Sequence, residues 1–147
     1  RRNFTNPHQI LLEDSGPLGW RVPQVTADPA TNFWFVRLMV LKESREVIGS
    51  TSFHGAPDAD GMIEIGFGIV PVKQNQGFGK ELLHGMWSEI LKRSDVRTLR
   101  YTVSPTNLSS MHIIKSSGFA LVGEQMDEED GLELIFEMSS QDYQGRK

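Results

Sequence analysis

Apolar residues in the first half of the chain fall into three runs that are typical of strands. The runs cover residues 33–41, 47–53 and 62–70, and a polar turn at residues 42–46 separates the first two. We therefore predict a hairpin of two strands followed by a third strand. Gly66 and Gly68 interrupt the third run, and glycines inside a strand indicate a bulge or a close approach of another group to the backbone.

The second half of the chain alternates between helical and strand spacing. Between residues 77 and 93, apolar positions recur three and four residues apart, which predicts one buried face of a helix. These positions are Phe78, Leu82, Leu83, Met86, Ile90 and Leu91. Residues 98–103 are predicted to form a strand, and residues 109–117 a short helix that Gly118 ends as a C-cap glycine.

The last predicted elements are two strands at residues 119–122 and 132–138, with an acidic turn at 127–131 between them. We expect the tail from Gln141 to fray. Residues 7–31 are rich in proline and glycine, and they predict one or two helical turns followed by a loop. The resulting order of strands and helices predicts a mixed α/β sheet in three layers.

Length and composition restrict the class of protein. A chain of 147 residues lies in the usual range of one domain and is long enough to bury a core, so we expect residues 1–147 to form a single domain. No apolar run approaches the roughly 18 residues of a membrane-spanning helix. A net charge of -4 leaves no basic stripe for a nucleic-acid backbone. Neither a membrane nor a nucleic acid is therefore an expected partner.

Two features concern the compartment and the chain start. The sequence has no cysteine, which rules out disulfides and thiolate metal sites and agrees with a reducing compartment, so we expect a cytoplasmic protein. No signal-peptide pattern follows Arg1. Because the sequence does not begin with Met, we expect that native residues precede it.

A segment with two glycines joins the third predicted strand to the long predicted helix. Residues 74–80 read Gln-Asn-Gln-Gly-Phe-Gly-Lys. The first N–H groups of a helix have no intrahelical acceptor, and the helix dipole adds partial positive charge, so a phosphate binds favourably at such a position. Gly77 and Gly79 would let a ligand approach the backbone there.

Two other glycine-rich phosphate loops fit this segment poorly. A Walker A loop requires glycine five residues before its Gly-Lys pair and Ser or Thr after it, where this chain has Gln74 and Glu81. A Rossmann fingerprint requires a third glycine at the position of Leu82. Both nucleotide-binding hypotheses are therefore disfavoured, and a tight turn without a ligand is the structural alternative.

The segment resembles the coenzyme-binding signature of the GNAT acetyltransferase family, which is Gln or Arg, two residues, Gly, one residue, and Gly or Ala. Here Gln74, Gly77 and Gly79 occupy those positions. Downstream, Asn107 and Ser110 precede a Gly-Phe pair at residues 118–119 with the spacing of the second half of the same site. This half is especially similar to the branch related to ribosomal-protein N-terminal alanine and serine acetyltransferases.

The resemblance covers residues 33–138 and implies a three-layer α/β/α fold with a mixed, mainly antiparallel sheet and acetyl-CoA as cosubstrate. In such a fold the third and fourth strands separate, and pantetheine lies between them. Backbone N–H groups near Ile69 and Val70 would hold pantetheine or polarise the thioester, and Asn107 would bind pantetheine or a bridging water. The further coenzyme-binding residues implied are Gln74, Asn75, Gln76, Gly77, Phe78, Gly79 and Lys80.

Acetyl transfer to an amine requires a group that removes a proton from the amine. Glu64 stands where many family members place a carboxylate for this purpose, acting directly or through water; an ordinary salt bridge on the strand face is the structural alternative. The acidic run at residues 127–130 is a competing candidate that would attract a cationic amine. It is alternatively a solvated turn, since Asp130 and Gly131 form a favourable turn pair.

The reaction also requires a proton for the departing thiolate. Many relatives carry a tyrosine four residues before the Gly-Phe pair, where this chain has Ile114. This departure fits the branch in which a serine at the position of Ser110 hydrogen-bonds or protonates the sulfur; Ser110 would otherwise cap the first helical turn. Tyr101 is a weaker candidate, because a strand tyrosine usually buries its ring and keeps its hydroxyl at the edge.

The histidines His54, His84 and His112 show neither metal-ligand spacing nor a partner pattern, so we interpret them as ordinary surface or helix residues and expect no metal site. The leading hypothesis is an N-acetyltransferase acting on a primary amine of a small molecule or peptide, with a homodimer left open. One alternative is a domain that binds acyl-CoA without turnover. Another is an interaction domain with a surface formed by Trp20 and residues 33–35.

Overall fold

The structure is a computed structural model that describes residues 4–8, 10, 26–29, 34 and 36–145. A short 3-10 turn, Pro71–Lys73, lies between the strand that ends at Ile69 and the helix that begins at Phe78. The strands and helices are β1 (Arg37–Val40), β2 (Val47–Phe53), β3 (Met62–Ile69), α1 (Phe78–Ile90), β4 (Thr98–Val103), α2 (Leu108–Ser116), β5 (Ala120–Asp127), β6 (Gly131–Ser139) and α3 (Ser140–Gln144).

The strands form one sheet in the order β1-β2-β3-β4-β6-β5. Only the β3–β4 pair is parallel among these neighbours, and the other pairs are antiparallel. The predicted α/β class and the mixed, mainly antiparallel sheet are therefore confirmed. A parallel pair requires a long crossover, and α1 is part of the connection from β3 to β4.

The hydrophobic core lies between one face of this sheet and the helices. Alternate residues of β3 and β4 point to this helix face, and the side chains of α1 and α2 cover them. The almost fully buried members include Ile63, Ile65, Leu83, Trp87, Leu99 and Ile114. The opposite face, called here the polar face, carries Glu64, Arg100 and Glu137 side by side in register on β3, β4 and β6.

The predicted helices are present with small shifts of their ends. In α1 the periodic positions Leu83 and Ile90 are buried, as the spacing indicated, and Trp87, which was not among the predicted positions, is buried with them. Gly118 follows α2 with φ +84°, the left-handed conformation that glycine adopts at low cost, so its predicted role in ending the helix is confirmed. None of the helices in the described part of the chain has the length and hydrophobicity to span a bilayer.

Three predictions concern the N-terminal part of the chain. The first strand is shorter than predicted, since β1 begins only at Arg37, and Trp34 packs edge-on against Phe53 with ring centroids 6.4 Å apart. Among the proposed interaction aromatics, Trp20, Phe33 and Phe35 lie outside the described residues. Most of the predicted helical turns and loop at residues 7–31 also lie outside them.

The prediction that the tail frays from Gln141 is wrong, because α3 continues the fold there. The hydroxyl of Ser139 accepts a hydrogen bond from the Asp142 N–H at 3.0 Å and caps the helix. Tyr143 is buried, with its ring edge-on to Trp87 at 5.8 Å and to Phe119 at 6.5 Å. A single aromatic side chain that packs on residues distant in sequence leaves no periodic signal in so short a segment.

Candidate functional site

The parallel pair β3–β4 opens at one end. Pairing runs from Met62 with Thr98 to Ile65 with Tyr101 and ends there, although β3 continues to Ile69 and β4 to Val103. The expected separation of the two strands is therefore present. It leaves a gap whose walls are the last residues of each strand.

Hydrogen bonding of β3 determines which backbone groups face this gap. The Val70 N–H donates to the Ile48 carbonyl at 2.9 Å, so it is not free to bind a ligand, contrary to the prediction for this residue. In an antiparallel pair, successive residues direct their N–H groups to opposite sides. The N–H groups of Phe67 and Ile69 therefore point away from β2 and toward the gap.

The loop between β3 and α1 is held by side-chain bonds to the backbone. Gln74 donates from Nε2 to the Ile69 carbonyl at 2.9 Å, and Gln76 donates from Nε2 to the Val72 carbonyl at 3.0 Å. Asn75 and Gly77 have positive φ values of 61° and 87°. These bonds and turns bring the chain back over the end of β3 and aim the start of α1 at the gap.

The N-terminus of α1 is suited to an anion. Its N-cap is Gly77, which offers no side-chain cap to the first turn. The first N–H groups of the helix therefore lack intrahelical acceptors, and the helix dipole concentrates positive charge near them. Lys80 adds a cationic side chain at the same end, so the arrangement favours a phosphate group.

Gly79 is needed for packing as well as for access to the backbone. A Cβ atom at this position would lie 2.8 Å from Ile113 Cδ1 and 3.1 Å from the Phe67 ring. No side chain fits there without moving both α2 and β3 side chains. The glycine therefore sets how closely the start of α1 approaches the gap.

A cavity of about 400 Å³ occupies the gap between the α1 N-terminus and α2; we call it the basic cavity. Its charged lining residues are Lys73 and Lys80, and no acidic residue of the described chain lines it. The predicted coenzyme-binding residues that line it are Ile69, Gln74, Asn75, Gly77, Gly79, Lys80, Asn107 and Ser110. Those that do not are Val70, Gln76 and Phe78.

Phe78 takes a different position from the one predicted. Its side chain lines a separate apolar cavity beside β1, together with Leu82 and Met86. Lys73, Phe67 and His112 line the basic cavity but were not predicted to do so. Their role depends on how β3 and α2 approach each other, which the glycine motif does not specify.

At the start of α2, Asn107 is the helix cap. Its Oδ1 accepts a hydrogen bond from the Ser110 N–H at 3.2 Å, so the alternative that the Ser110 hydroxyl caps this turn is wrong. The Ser110 side chain is buried and lines the basic cavity. This leaves its hydroxyl available to a group that enters the gap.

Tyr101 lies deeper in the gap than the sequence indicated. Its ring is buried, as predicted, and stacks on Phe67 with centroids 5.6 Å apart. Burial raises the pKa of Tyr101 to about 12, and a hydrogen bond with the Ser110 side chain offsets part of this rise. The phenol is therefore neutral at physiological pH and provides Ser110 with a partner.

A second cavity, of about 450 Å³, lies on the other side of Phe67 and Asn107, which line both cavities. We call it the acidic cavity, because Asp130 and Glu133 are its charged lining residues. Gly66 and Tyr101 also line it. The gap thus has a basic side and an acidic side that meet at two shared residues.

The acidic run at residues 127–130 forms a turn, which is one of its two predicted alternatives. Asp127 Oδ1 accepts the N–H groups of Glu129 and Asp130 at 2.8 and 2.9 Å, which stabilises the turn. These two backbone hydrogen bonds hold the pKa of the Asp127 carboxyl below its usual value. Asp127 is therefore a turn residue, whereas Asp130 belongs to the lining of the acidic cavity.

Glu64 lies on the polar face, with its side chain 16% exposed. It lines neither of the two cavities, but its Oε2 is 3.3 Å from Nδ1 of His54. His54 and His84 are exposed residues, as interpreted from the sequence, and each has a partner in the fold: His54 lies beside Glu64, and His84 bonds the hydroxyl of Tyr143. Among the described residues, no three His, Cys, Asp or Glu side chains converge as metal ligands would.

A family model described as an acetyltransferase (GNAT) domain matches residues 14–120. An uncharacterized N-acetyltransferase of Bacillus subtilis strain 168, YjdG, is 32% identical over 113 residues. That match covers 77% of this chain, and the chain spans 59% of the length of that relative.

Solved structures with the same fold include several acetyltransferases. Ribosomal-protein-S5-alanine acetyltransferase from Vibrio fischeri aligns with a TM-score of 0.70 and 18% identity, over 86% of this chain and 74% of that one. A chimera of Vibrio cholerae spermidine N-acetyltransferase SpeG and hSSAT aligns with a TM-score of 0.73 and 14% identity, over 95% of this chain and 89% of that one. Aminoglycoside acetyltransferase AAC(6')-Ib in complex with coenzyme A aligns with a TM-score of 0.65 and 17% identity, over 76% of this chain and 69% of that one.

Proposed function

Since this chain belongs to the GNAT acetyltransferase family, we propose that it transfers an acetyl group from acetyl-CoA to a primary amine. The observation that carries the proposal is the pair of cavities of opposite charge that meet in the gap between β3 and β4. The anionic coenzyme fits the basic cavity, and a cationic amine fits the acidic one. The two reactants would then meet beside Phe67 and Asn107.

On the coenzyme side, the chain offers donors for the pyrophosphate, the pantetheine and the sulfur of acetyl-CoA. The free N–H groups at the start of α1, with Lys80, are suited to the pyrophosphate. The N–H groups of Phe67 and Ile69 face the gap in which pantetheine would lie, and Asn107 lines the same passage. Ser110, buried at the inner end with Tyr101 as its partner, is the proposed donor to the sulfur.

On the acceptor side, the proposal requires a cationic amine and a group that takes its proton. Asp130 and Glu133 supply negative charge to the acidic cavity. Removal of the proton is assigned to Glu64 or a group next to it, because Glu64 lies on the adjoining polar face with its side chain 16% exposed, whereas Glu137 on that face pairs with Arg100. Spermidine and aminoglycosides, named for two proteins of the same fold, are cationic amines of the kind that this cavity suits.

One observation favours a second candidate, a domain that binds acyl-CoA without turnover. Ile114 stands where many relatives carry a tyrosine acid, and it is fully buried in the core. It can donate no proton. If Ser110 does not replace that acid, the chain would keep the coenzyme site and lack efficient catalysis.

We expect calorimetric titration with acetyl-CoA to give saturable binding, with ATP and NAD as controls that bind more weakly. The bound protein is then mixed with a panel of primary amines, and CoA release is followed with a thiol reagent. Because the chain contains no cysteine, the reagent reports only on CoA. Thiol release that depends on the amine supports the transferase. Binding without release over the panel favours the second candidate, and absence of acetyl-CoA binding contradicts both.

We expect Asp130→Asn and Glu133→Gln each to raise the KM for spermidine or another polycationic acceptor about two- to fivefold. Each exposed charge contributes only about 0.2–1 kcal/mol, so the combined variant should show roughly the product of the two effects. The increase in KM should be smaller at high salt, which screens the charges, and the affinity for acetyl-CoA should stay unchanged.

The matched control is Glu128→Gln, in the same turn but outside the lining of the acidic cavity. It removes the same charge and should leave KM within about twofold of the wild type, since an exposed charge outside the cavity contributes little. An equal rise in KM for this control would mean that overall charge, and not the cavity, attracts the amine.

A further inference from the structure

His54 lies opposite Glu64 because it continues the antiparallel register of β2 and β3. Its N–H donates to the Glu64 carbonyl at 2.8 Å, and its Nδ1 is 3.3 Å from Glu64 Oε2. The other ring nitrogen, Nε2, lies over Gly66, where a Cβ atom would be only 3.2 Å from it. The imidazole therefore occupies the space that Gly66 leaves open.

Gly66 lines the acidic cavity, so His54 Nε2 lies next to a residue of that lining, although His54 itself does not line the cavity. The His54 side chain is 51% exposed, whereas that of Glu64 is 16% exposed. The imidazole thus lies between the carboxylate and solvent. A proton accepted at Nε2 has a direct route from the ring to water.

Among the ion pairs of the described residues, Glu64 lies beside His54 and not beside Arg100. Arg100 is the register partner of Glu64 on β4, but its Nε donates to Glu137 at 2.7 Å. The Arg100–Glu137 pair lies beside Glu64 on the polar face, and Asp130 and Glu133 line the acidic cavity. A carboxylate next to Nδ1 favours the tautomer with a proton on Nδ1, which leaves Nε2 as an acceptor.

We propose that His54 is the catalytic residue that takes the proton from the acceptor ammonium, with Glu64 as the positioning residue that orients the imidazole. This assignment rests on the proposed acetyl transfer and identifies its base. Imidazole changes charge closer to neutral pH than any other unperturbed side chain, which suits it to this step better than a carboxylate.

The ammonium gives one proton to His54 Nε2 and becomes a neutral amine. Its nitrogen forms a bond to the thioester carbon while the carbon–sulfur bond breaks. A second proton from nitrogen passes to the sulfur through the donor assigned to Ser110, and the third stays on the amide. The imidazolium then releases its proton to water, so the products are the amide, CoA thiol and one proton.

The test is the pH dependence of kcat/KM for the best acceptor of the amine panel. The wild type should lose activity as the pH falls through the range in which imidazole protonates. His54→Gln should lower kcat/KM at pH 7 about 100-fold, the usual contribution of a general base, and should remove this acidic limb. Glu64→Gln should keep the acidic limb and should lower kcat/KM less than His54→Gln does, since the base itself remains.

Two variants control for indirect effects. His84→Gln changes a histidine on α1 that bonds Tyr143, and it should keep both the rate and the pH profile. Ser110→Ala should lower the rate while the acidic limb persists. If His54→Gln stays within about threefold of the wild type while Glu64→Gln abolishes activity, Glu64 is the base and the proposal is overturned.

A second measurement does not depend on turnover. In nitrogen-15 NMR spectra of the free protein, the neutral His54 ring should carry its proton on Nδ1, and Glu64→Gln should weaken this preference. A neutral ring with its proton mainly on Nε2 overturns the pair, whatever the activity. If the pair is present but acetyl-CoA does not bind, the failure lies with the proposed transferase function instead.

Discussion

Replacement of Gly79 by Glu is expected to weaken acetyl-CoA binding at least about 100-fold, a loss of roughly 2.7 kcal/mol. The reason is both steric and electrostatic. A Cβ atom at this position would already lie 2.8 Å from Ile113 Cδ1, and the carboxylate would enter the basic cavity beside Lys80. Calorimetric titration of wild type and variant measures the change.

The control for this prediction is Gly85→Glu in the same helix. Gly85 is exposed, and a Cβ atom there meets nothing within 4 Å, so the added charge leaves the coenzyme site intact. Lys80→Glu separates charge from steric effects, because Lys80 lines the cavity with an exposed side chain. Binding by Gly79→Glu within about threefold of the wild type would contradict the location of the coenzyme.

The largest loss of stability is expected from Trp87→Ala, at about 3–5 kcal/mol. Trp87 is buried at 1% exposure and stacks on Phe119 with ring centroids 4.6 Å apart. Its removal leaves a cavity where α1, α3 and β5 meet. Since domains of this size are stable by only about 5–15 kcal/mol, the variant should unfold at much lower urea concentration.

Trp87→Phe provides the informative comparison. The Trp87 Nε1 is buried and has no hydrogen-bond acceptor among the residues that the structure describes. Phenylalanine keeps most of the ring contact and removes this unsatisfied donor. Trp87→Phe should therefore lower the free energy of unfolding by less than half as much as Trp87→Ala. Met126→Ala, at a position 74% exposed, should change stability by less than about 0.5 kcal/mol. Equal losses for alanine and phenylalanine would contradict the stacking argument.

The parts of the fold that sequence predicted well are those with local signals. The buried face of α1 follows from a spacing of three and four residues, and the end of α2 follows from Gly118 alone. The hairpin of β5 and β6 follows from its alternating apolar residues and its acidic turn. In each case the residues that carry the signal lie within one or two helical turns, or within one hairpin, of each other.

The candidate site was predicted only where a motif lies on one continuous segment. Gln74, Gly77 and Gly79 line the cavity next to the α1 N-terminus, as expected for a phosphate loop. The prediction failed for Val70, whose N–H bonds Ile48 on the neighbouring strand, and it did not find the pair of His54 and Glu64. Both depend on the register of β2 and β3. A one-residue slip of this register would move the side chains of one strand to the opposite face of the sheet.

By itself, the sequence determined the class of fold, the order of its elements from β1 to β6 and the segment with a free helix N-terminus, because hydrophobic periodicity and glycine positions act over a few residues. Only the tertiary structure decided where β3 leaves β4, which side chains line the two cavities, and that His54 faces Glu64. These features arise from contacts between strands and helices far apart in the chain, whose register and approach depend on packing of the whole core.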